Sequence, residues 1–334
     1  MTPFTSAAIL GAGSLGTALA KLLGPKLESV LLVSIEQACV DGINRDHRNP
    51  KYLTDIALSA NVRATTDHRE ALAMPLIIFA VPSAAVRSEA GKLAALGLPE
   101  TTPLLTCTKG IERDTGERMS QILREVFPDN PVCVLTGPNH AEEIAKDLVT
   151  CAVIASEDAV LAESLQALFT LPHFRVYTSD DVAGVELGGA VKNVYAIAAG
   201  MAHGLGLGDN AVAALVTRAL AEMTRLGTAL GGKKETFSGL SGVGDLIVTC
   251  FSEHSRNHRV GLALGKGQTL EQAVAALGMV AEGVPNTLSI HEAARKAGVR
   301  TPIIDAMHSI LYQNKPALEA MRGLLDRDPR SENS

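Results

Sequence analysis

The sequence predicts an α/β domain with a mostly parallel sheet, followed by an all-α domain. Three observations carry this expectation. A glycine-rich turn, Gly11-Ala12-Gly13-Ser14-Leu15-Gly16, sits between a short apolar run and an Ala/Leu-rich helical segment. Apolar runs then alternate with helical patterns up to about residue 180. Beyond that point the strand signals stop and long Ala/Leu/Gly-rich segments take over. The composition shift near Asp181 divides the chain of 334 residues into 1–182, 183–326 and a short polar tail at 327–334 that should fray.

Strands are expected at 7–10, 30–33, 62–65, 76–81, 104–107, 132–135, 149–155 and 174–177. They are continuous apolar runs with helical segments such as 84–96 and 116–126 between them. That pattern fits a parallel sheet covered on both faces. Pro82 ends the fourth strand, because it cannot donate to a ladder. In the second half, helices are expected at 184–203, 209–230, 259–264, 269–277, 286–297 and 302–312. There is no internal repeat.

Hydrophobic residues make up 46% of the chain and charged residues 20%, which excludes a disordered chain. A net charge of −6 argues against nucleic acid as the main partner. No apolar stretch has the length of a membrane span, and the first residues lack the pattern of a secretory leader, so a cytoplasmic protein is expected. The five cysteines, Cys39, Cys107, Cys133, Cys151 and Cys250, form no C-x-x-C pair and read as reduced thiols.

The glycine turn matches G-x-G-x-x-G in the context that gives the motif meaning. Gly11 permits the tight turn, Gly13 lets the backbone approach a pyrophosphate, and Gly16 lets the helix pack on the strand. The free amides that open the helix favour an anion. A dinucleotide is the leading ligand, against an ordinary glycine loop.

Helix 184–203 is apolar nearly all round, so it should be buried; Lys192 and Asn193 interrupt it. Gly188, Gly189, Ala196 and Ala199 flank Lys192 at helical spacing and are expected to leave room around its ammonium. Such a lysine can donate a proton to a carbonyl, or simply snorkel at a domain edge. Asp245 opens a glycine-rich helix start and either caps that helix or takes part in chemistry. Ser255-Arg256-Asn257-His258-Arg259 is suited to a phosphate or is a solvated polar loop. Pro82-Ser83, Thr108-Lys109 and Gly137-Pro138-Asn139 each follow a strand, where ligands of open α/β sheets bind, and can line one crevice with the glycine turn. His254 and His258 stand at helical spacing without a carboxylate companion, so no metal site is expected. No G-x-S-x-G elbow is present.

With these residues in place, the chain resembles the bacterial NAD(P)-dependent glycerol-3-phosphate dehydrogenase family over nearly its full length. The stretches that carry the resemblance include GAGSLGTALA at 11–20, NPKYL at 49–53, TKGIE at 108–112 and GVELGGAVKNVYAIAAG at 184–200. GVGDLIVTC at 242–250, SRNHR at 255–259 and AEGVPNT at 281–287 complete them. The resemblance implies a Rossmann-like N-terminal domain, a helical C-terminal domain and a site between them. It also implies NAD or NADP as coenzyme, and reversible reduction of dihydroxyacetone phosphate to sn-glycerol 3-phosphate for glycerophospholipid synthesis. A homodimer is expected on the same ground, helped by the apolar helical half. A related β-hydroxyacid dehydrogenase and a nucleotide sensor without turnover are the alternatives.

Carried over by position, Lys192 is the acid/base, with Lys109, Asn193, Asp245 and Thr249 around the reacting carbon. Gly137, Asn139, Ser255, Arg256 and Asn257 complete the substrate site. Gly11, Gly13, Ser14, Leu15, Gly16, Glu36, Pro82, Lys109, Ala141, Arg256, Val280 and Glu282 surround the coenzyme. Two departures stand out. Asn139-His140 replaces the usual serine or threonine followed by phenylalanine. Val33 and Ile35 replace a tryptophan and a basic residue. Without that basic residue, and with Glu36 able to accept from a ribose hydroxyl, NADH should serve at least as well as NADPH. Arg45 or Arg48 would have to reach back to change this.

Overall fold

The computed structural model describes residues 4–325, so the tail expected at 327–334 lies outside the described residues. The first part runs β1 (Ser6–Leu10), α1 (Ser14–Leu23), β2 (Ser29–Val33), α2 (Gln37–Asp46), β3 (Val62–Thr65), β4 (Ile77–Phe79), α3 (Val86–Ala95) and β5 (Leu104–Thr106). It continues with α4 (Met119–Val126), β6 (Val132–Thr136), α5 (Ala141–Ala145), β7 (Thr150–Ala155), α6 (Ala159–Phe169) and β8 (Phe174–Ser179). All eight strands form one sheet in the order β3-β2-β1-β4-β5-β6-β7-β8. Chain order reverses at β1, and the crevice of such sheets opens there, beyond the strands' carboxyl ends.

Pairing is parallel throughout except between β6 and β7. The sheet is therefore not uniformly parallel. The chain leaves β6, makes the short helix α5 beside α1, and re-enters the sheet directly. An antiparallel neighbour needs no long crossover. Strand β4 is shorter than its apolar run suggests, because the chain leaves the ladder at Ala80-Val81 before Pro82. Helices α2, α5 and α6 add to those singled out in the sequence. The hydrophobic core lies in two layers: Leu19, Leu23, Ile78 and Phe169 are among those filling one side of the sheet, and Phe79, Leu93 and Leu123 the other. The five cysteines are free, and Cys39, Cys107, Cys133 and Cys250 are buried.

The second part is all helical: α7 (Val182–Gly204), α8 (Asp209–Ala229), α9 (Asp245–Phe251), α10 (Arg256–Gly265), α11 (Leu270–Ala275), α12 (Gly283–Lys296), α13 (Pro302–Gln313) and α14 (Ala317–Leu325). Helix α7 is its axis. Asp181 starts it by accepting from the Gly184 amide at 2.9 Å. Helix α10 lies so close against it that a Cβ on Gly200 would sit 2.0 Å from the His258 carbonyl oxygen. On the facing side, a Cβ on Gly261 would sit 1.9 Å from the Ile197 carbonyl. Small residues in α7 thus bring backbones together, and this close crossing carries Ser255-Arg256-Asn257 to the polar stretch of α7. Among the described residues no helix is long and apolar enough to cross a membrane.

Candidate active site

One cleft of about 510 Å³ runs from the glycine turn, past the ends of β1, β4 and β5, to the middle of α7. Its volume suits a small-molecule ligand. Every site residue carried over by position lines this cleft except Gly16 and Gly137; of the strand-end loops expected there, Ser83 and Pro138 do not line it either.

At one end, Gly11 has φ +102°, and a Cβ there would overlap the Ala80 carbonyl at 2.7 Å. A Cβ on Gly16 would lie 1.8 Å from the Gly11 carbonyl, so Gly16 packs the helix onto the turn instead of facing the cleft. Around Gly13, by contrast, there is open space to 4 Å. Gly13 precedes α1 without a side-chain cap, which leaves the first amides for an anion. The turn therefore fits a pyrophosphate. Asn49, fully buried, braces it by donating to the Ala12 carbonyl at 2.8 Å and to Thr17 Oγ1 at 2.9 Å.

At the other end, Asp245 is 1% exposed and joins two lysines. Its Oδ1 accepts from Lys192 Nζ and its Oδ2 from Lys109 Nζ at 2.8 Å. Asp245 sits just after a wide π turn at Leu240–Gly244 and makes no cap hydrogen bond, so the capping role does not hold. Its carboxylate faces the lysines instead. Thr249, one turn on, donates to the Asp245 carbonyl and accepts from Lys192 Nζ, both at 2.6 Å.

The two lysines differ. Lys109 spends its three N–H groups on Asp245, Asn139 Oδ1 at 2.7 Å and the Gly137 carbonyl at 3.0 Å. Gly137 thus holds Lys109 and does not itself reach the cleft. Lys192 has two partners, Asp245 and Thr249, and keeps one donor in hand. Burial pulls the Lys192 ammonium down to about 7, against the opposing pull of Asp245. Burial pushes the Asp245 carboxyl up, but Lys109 and Lys192 outweigh it and the net shift is downward.

The small neighbours of Lys192 do not leave it empty space. A Cβ on Gly188 would strike the Ser241 carbonyl at 2.3 Å, and a Cβ on Gly189 would lie 3.4 Å from the Lys109 stem and from Thr136. Glycine at position 188 admits the π turn, and the space beside Gly189 is already bounded by Lys109 and Thr136. Lys192 is 4% exposed, so it does not snorkel either.

Asn193 continues the polar stretch. Its Oδ1 accepts from Asn257 Nδ2 at 2.9 Å, and Asn257 Oδ1 in turn accepts from the Gly283 amide at 2.8 Å. Ser255 caps α10 through His258. Arg256 donates to the Val280 carbonyl at 2.7 Å and is partly exposed at the mouth. The two parts of the chain also meet across the cleft, where Glu282 accepts from the Ser83 amide at 3.0 Å and hydroxyl at 2.6 Å. Burial raises the Glu282 carboxyl, against the opposing pull of Ser83.

Other sequence expectations need correction. His254 lies before α10 and shares no helix face with His258, whose Nε2 meets His203 Nδ1 at 2.8 Å. Among the described residues no cluster could hold a metal ion. Arg45 pairs with Asp46, and Arg48 with the Asp55 carbonyl, so neither reaches Glu36. Glu36 accepts instead from Lys51 Nζ at 2.7 Å and Tyr52 OH at 2.9 Å. Tyr52, His68 and Glu89 line the cleft and were not singled out, and His140, noted as a departure, lines it too. Asn49 and Tyr52 stood within the N-P-K-Y-L stretch; no local pattern marked the others.

The model of the N-terminal part of NAD-dependent glycerol-3-phosphate dehydrogenases matches residues 6–162, and that of the C-terminal part matches 181–322. A glycerol-3-phosphate dehydrogenase, NAD(P)+, of Moorella thermoacetica is 47% identical over 327 residues, covering 98% of this chain and 97% of its own. The protein of that name in Clostridium perfringens is 44% identical over 326 residues, 97% of this chain and 98% of the relative. Among solved structures, glycerol-3-phosphate dehydrogenase from Coxiella burnetii superposes with a TM-score of 0.94 at 38% identity, covering 97% of this chain and 99% of that one. A ketopantoate reductase of the PanE/ApbA family from Ralstonia eutropha shares the fold alone, with a TM-score of 0.64 at 17% identity over 95% of this chain and 99% of its own.

Proposed function

The chain belongs to the NAD-dependent glycerol-3-phosphate dehydrogenase family, and from that membership we propose the reaction in its cleft: reversible reduction of dihydroxyacetone phosphate to sn-glycerol 3-phosphate, with NADH or NADPH. The observation that carries the reading is the joining of Lys192 and Lys109 through one buried carboxylate, on the floor of a cleft that begins at a dinucleotide-type glycine turn.

A nicotinamide coenzyme, when bound, would supply or accept the hydride. The protein's own groups handle charge and protons. The residues at 1–182 hold the dinucleotide through the open face of Gly13 and the amides of Ser14 and Leu15, with Glu36 at the ribose and Pro82 and Ala141 along its path, where Val280 and Glu282 of the second part join them. The residues at 183–326 bring the substrate groups. Lys192 points its remaining N–H at the substrate carbonyl and gives up that proton as the alkoxide forms. A group titrating near neutrality is suited to move a proton both ways. Asp245 keeps Lys192 aimed, and Lys109 keeps Asp245 and Asn139 in place. With two ammonium groups to one carboxylate, this end of the cleft carries excess positive charge and attracts a phosphorylated substrate. Arg256, Asn257 and Ser255 take the phosphate, for which a guanidinium fork is apt. The product enters glycerophospholipid synthesis in the cytoplasm, where nicotinamide coenzymes and triose phosphates are dissolved. The active species is a homodimer, which a molar mass near twice 34.9 kDa by light scattering would check.

The test follows coenzyme absorbance with dihydroxyacetone phosphate and with a panel of keto acids. Turnover should be confined to the phosphorylated ketone. Faster reduction of a keto acid such as ketopantoate would move the chain to the hydroxyacid alternative. Coenzyme binding without any turnover would support the sensor.

A further inference from the structure

The adenosine end of the cleft carries a charged pair that the family resemblance does not account for. Glu36 follows β2, lines the cleft, and is held from two sides by Lys51 and Tyr52. Ile35, beside Glu36, is 83% exposed and uncharged. The nearby arginines are engaged elsewhere: Arg45 with Asp46, Arg48 with a backbone carbonyl, and Arg63 with Glu70. Among the described residues Lys51 is the cation that pairs with Glu36, with its ammonium also 5.1 Å from the centre of the Tyr52 ring.

We infer that Lys51 receives the 2′-phosphate of NADPH, and that Glu36 and Lys51 together admit both coenzymes. The inference rests on the dinucleotide reading of the cleft. With NADH, Glu36 accepts from the ribose hydroxyls while Lys51 keeps it ionised; the Lys51 hydrogen bond already holds the Glu36 carboxyl below its ordinary value. With NADPH, the ammonium exchanges the carboxylate for the phosphate dianion, a stronger partner.

The geometry favours this exchange. Asn49 Oδ1 accepts from the Lys51 and Tyr52 amides, both at 3.0 Å, while its Nδ2 is fixed on the glycine turn. The backbone carrying Lys51 is thereby tied to the backbone that cradles the pyrophosphate. The Lys51 side chain itself is half exposed, and its four-carbon stem can swing without moving that backbone.

Equilibrium titration of the full-length protein with NADH and with NADPH tests this without turnover. The readout is the ratio of Kd for NADPH to Kd for NADH. Lys51→Ala should raise the ratio by about tenfold, the order of one hydrogen bond to a charged group. Lys51→Arg should keep the wild-type ratio, and Glu36→Gln should lower it by removing the carboxylate that repels the phosphate. Adenosine 2′,5′-bisphosphate, competing against NADH, should lose affinity in Lys51→Ala more than 5′-AMP does, which isolates the phosphate from the nicotinamide end. Added salt should weaken NADPH more than NADH in the wild type and equally in Lys51→Ala. If Lys51→Ala shifts both coenzymes by one factor, the inference is wrong while the dinucleotide reading stands. If the wild type binds neither coenzyme, both fall.

Discussion

Two carboxyl groups meet α7 one turn apart and end in opposite states. Asp245 faces Lys192 and Glu222 lies 3.5 Å from the Tyr195 hydroxyl; each carboxyl-bearing residue is 1% exposed. Asp245 is lowered because two ammonium groups outweigh its burial. Burial raises Glu222 to about 7, with the Ile303 and Ile304 amides, both at 3.0 Å, as its nearest charge-favouring contacts. Depth alone therefore does not set the charge of a buried acid; its partners do. The region where two ammonium groups touch the acid is chemically poised, whereas Glu222, with only the lesser pull of Arg225, holds α13 in place by receiving the amides that open it.

The largest effect should come from removing the donor on the catalytic side. Lys192→Ala should cut kcat/KM for dihydroxyacetone phosphate by about 10³-fold, within the range for a lost general acid. In the wild type, kcat/KM for ketone reduction should fall as pH rises through about 7, since the acid form is needed. The reverse oxidation should rise over the same interval. A flat profile in both directions would remove Lys192 from the proton path.

Next comes the carboxylate between the lysines. Asp245→Asn leaves two buried ammonium groups without their counter-charge. Lys192 then titrates lower, so the reduction profile should shift to more acid pH and kcat should drop about 10²-fold at neutrality. Breaking a buried pair by removing one partner costs about 3–5 kcal/mol, visible as a lower Tm. An unshifted profile would show that Asp245 does not tune Lys192.

The smallest effect belongs to the other carboxyl and concerns stability alone. Folded Glu222 keeps its proton to about 7, while the unfolded chain loses it near 4.5. Between those values the folded state binds more protons, so stability falls as pH rises. The loss is on the order of 3 kcal/mol across that interval, and Glu222→Gln should flatten it. Urea unfolding at pH 5 and pH 7.5 measures it; equal slopes for wild type and variant would place the titration elsewhere. Coenzyme Kd should be the same in both.

Much of the fold was legible because its signals are local. Strand β3 at Val62–Thr65 coincides with the expected run, and the six helices expected in the second part agree to within a few residues, while α14 was not expected. The antiparallel β7 was not legible, since an apolar strand of six residues reads alike in either direction. Helix α2 was obscured by Gly42 and its charged residues; it buries only Cys39, Val40, Gly42 and Ile43. At the site, the residue types were visible but their partners were not. Asp245 looked like a helix cap because its near neighbours permit that. The lysines that claim it come from residues 109 and 192, and sequence spacing carries no record of such contacts.

The sequence by itself determined the order of strands and helices, the glycine turn and the polar interruption of α7. These depend on backbone freedom, capping and hydrophobic period, which act within a few residues. Tertiary structure alone decided that Lys109 is saturated while Lys192 keeps a donor, that Gly188 admits the π turn instead of leaving space, and that Lys51 stands against Glu36. Those outcomes depend on charge and contact between groups far apart in the chain, and distance and burial, fixed only by folding, set their strength.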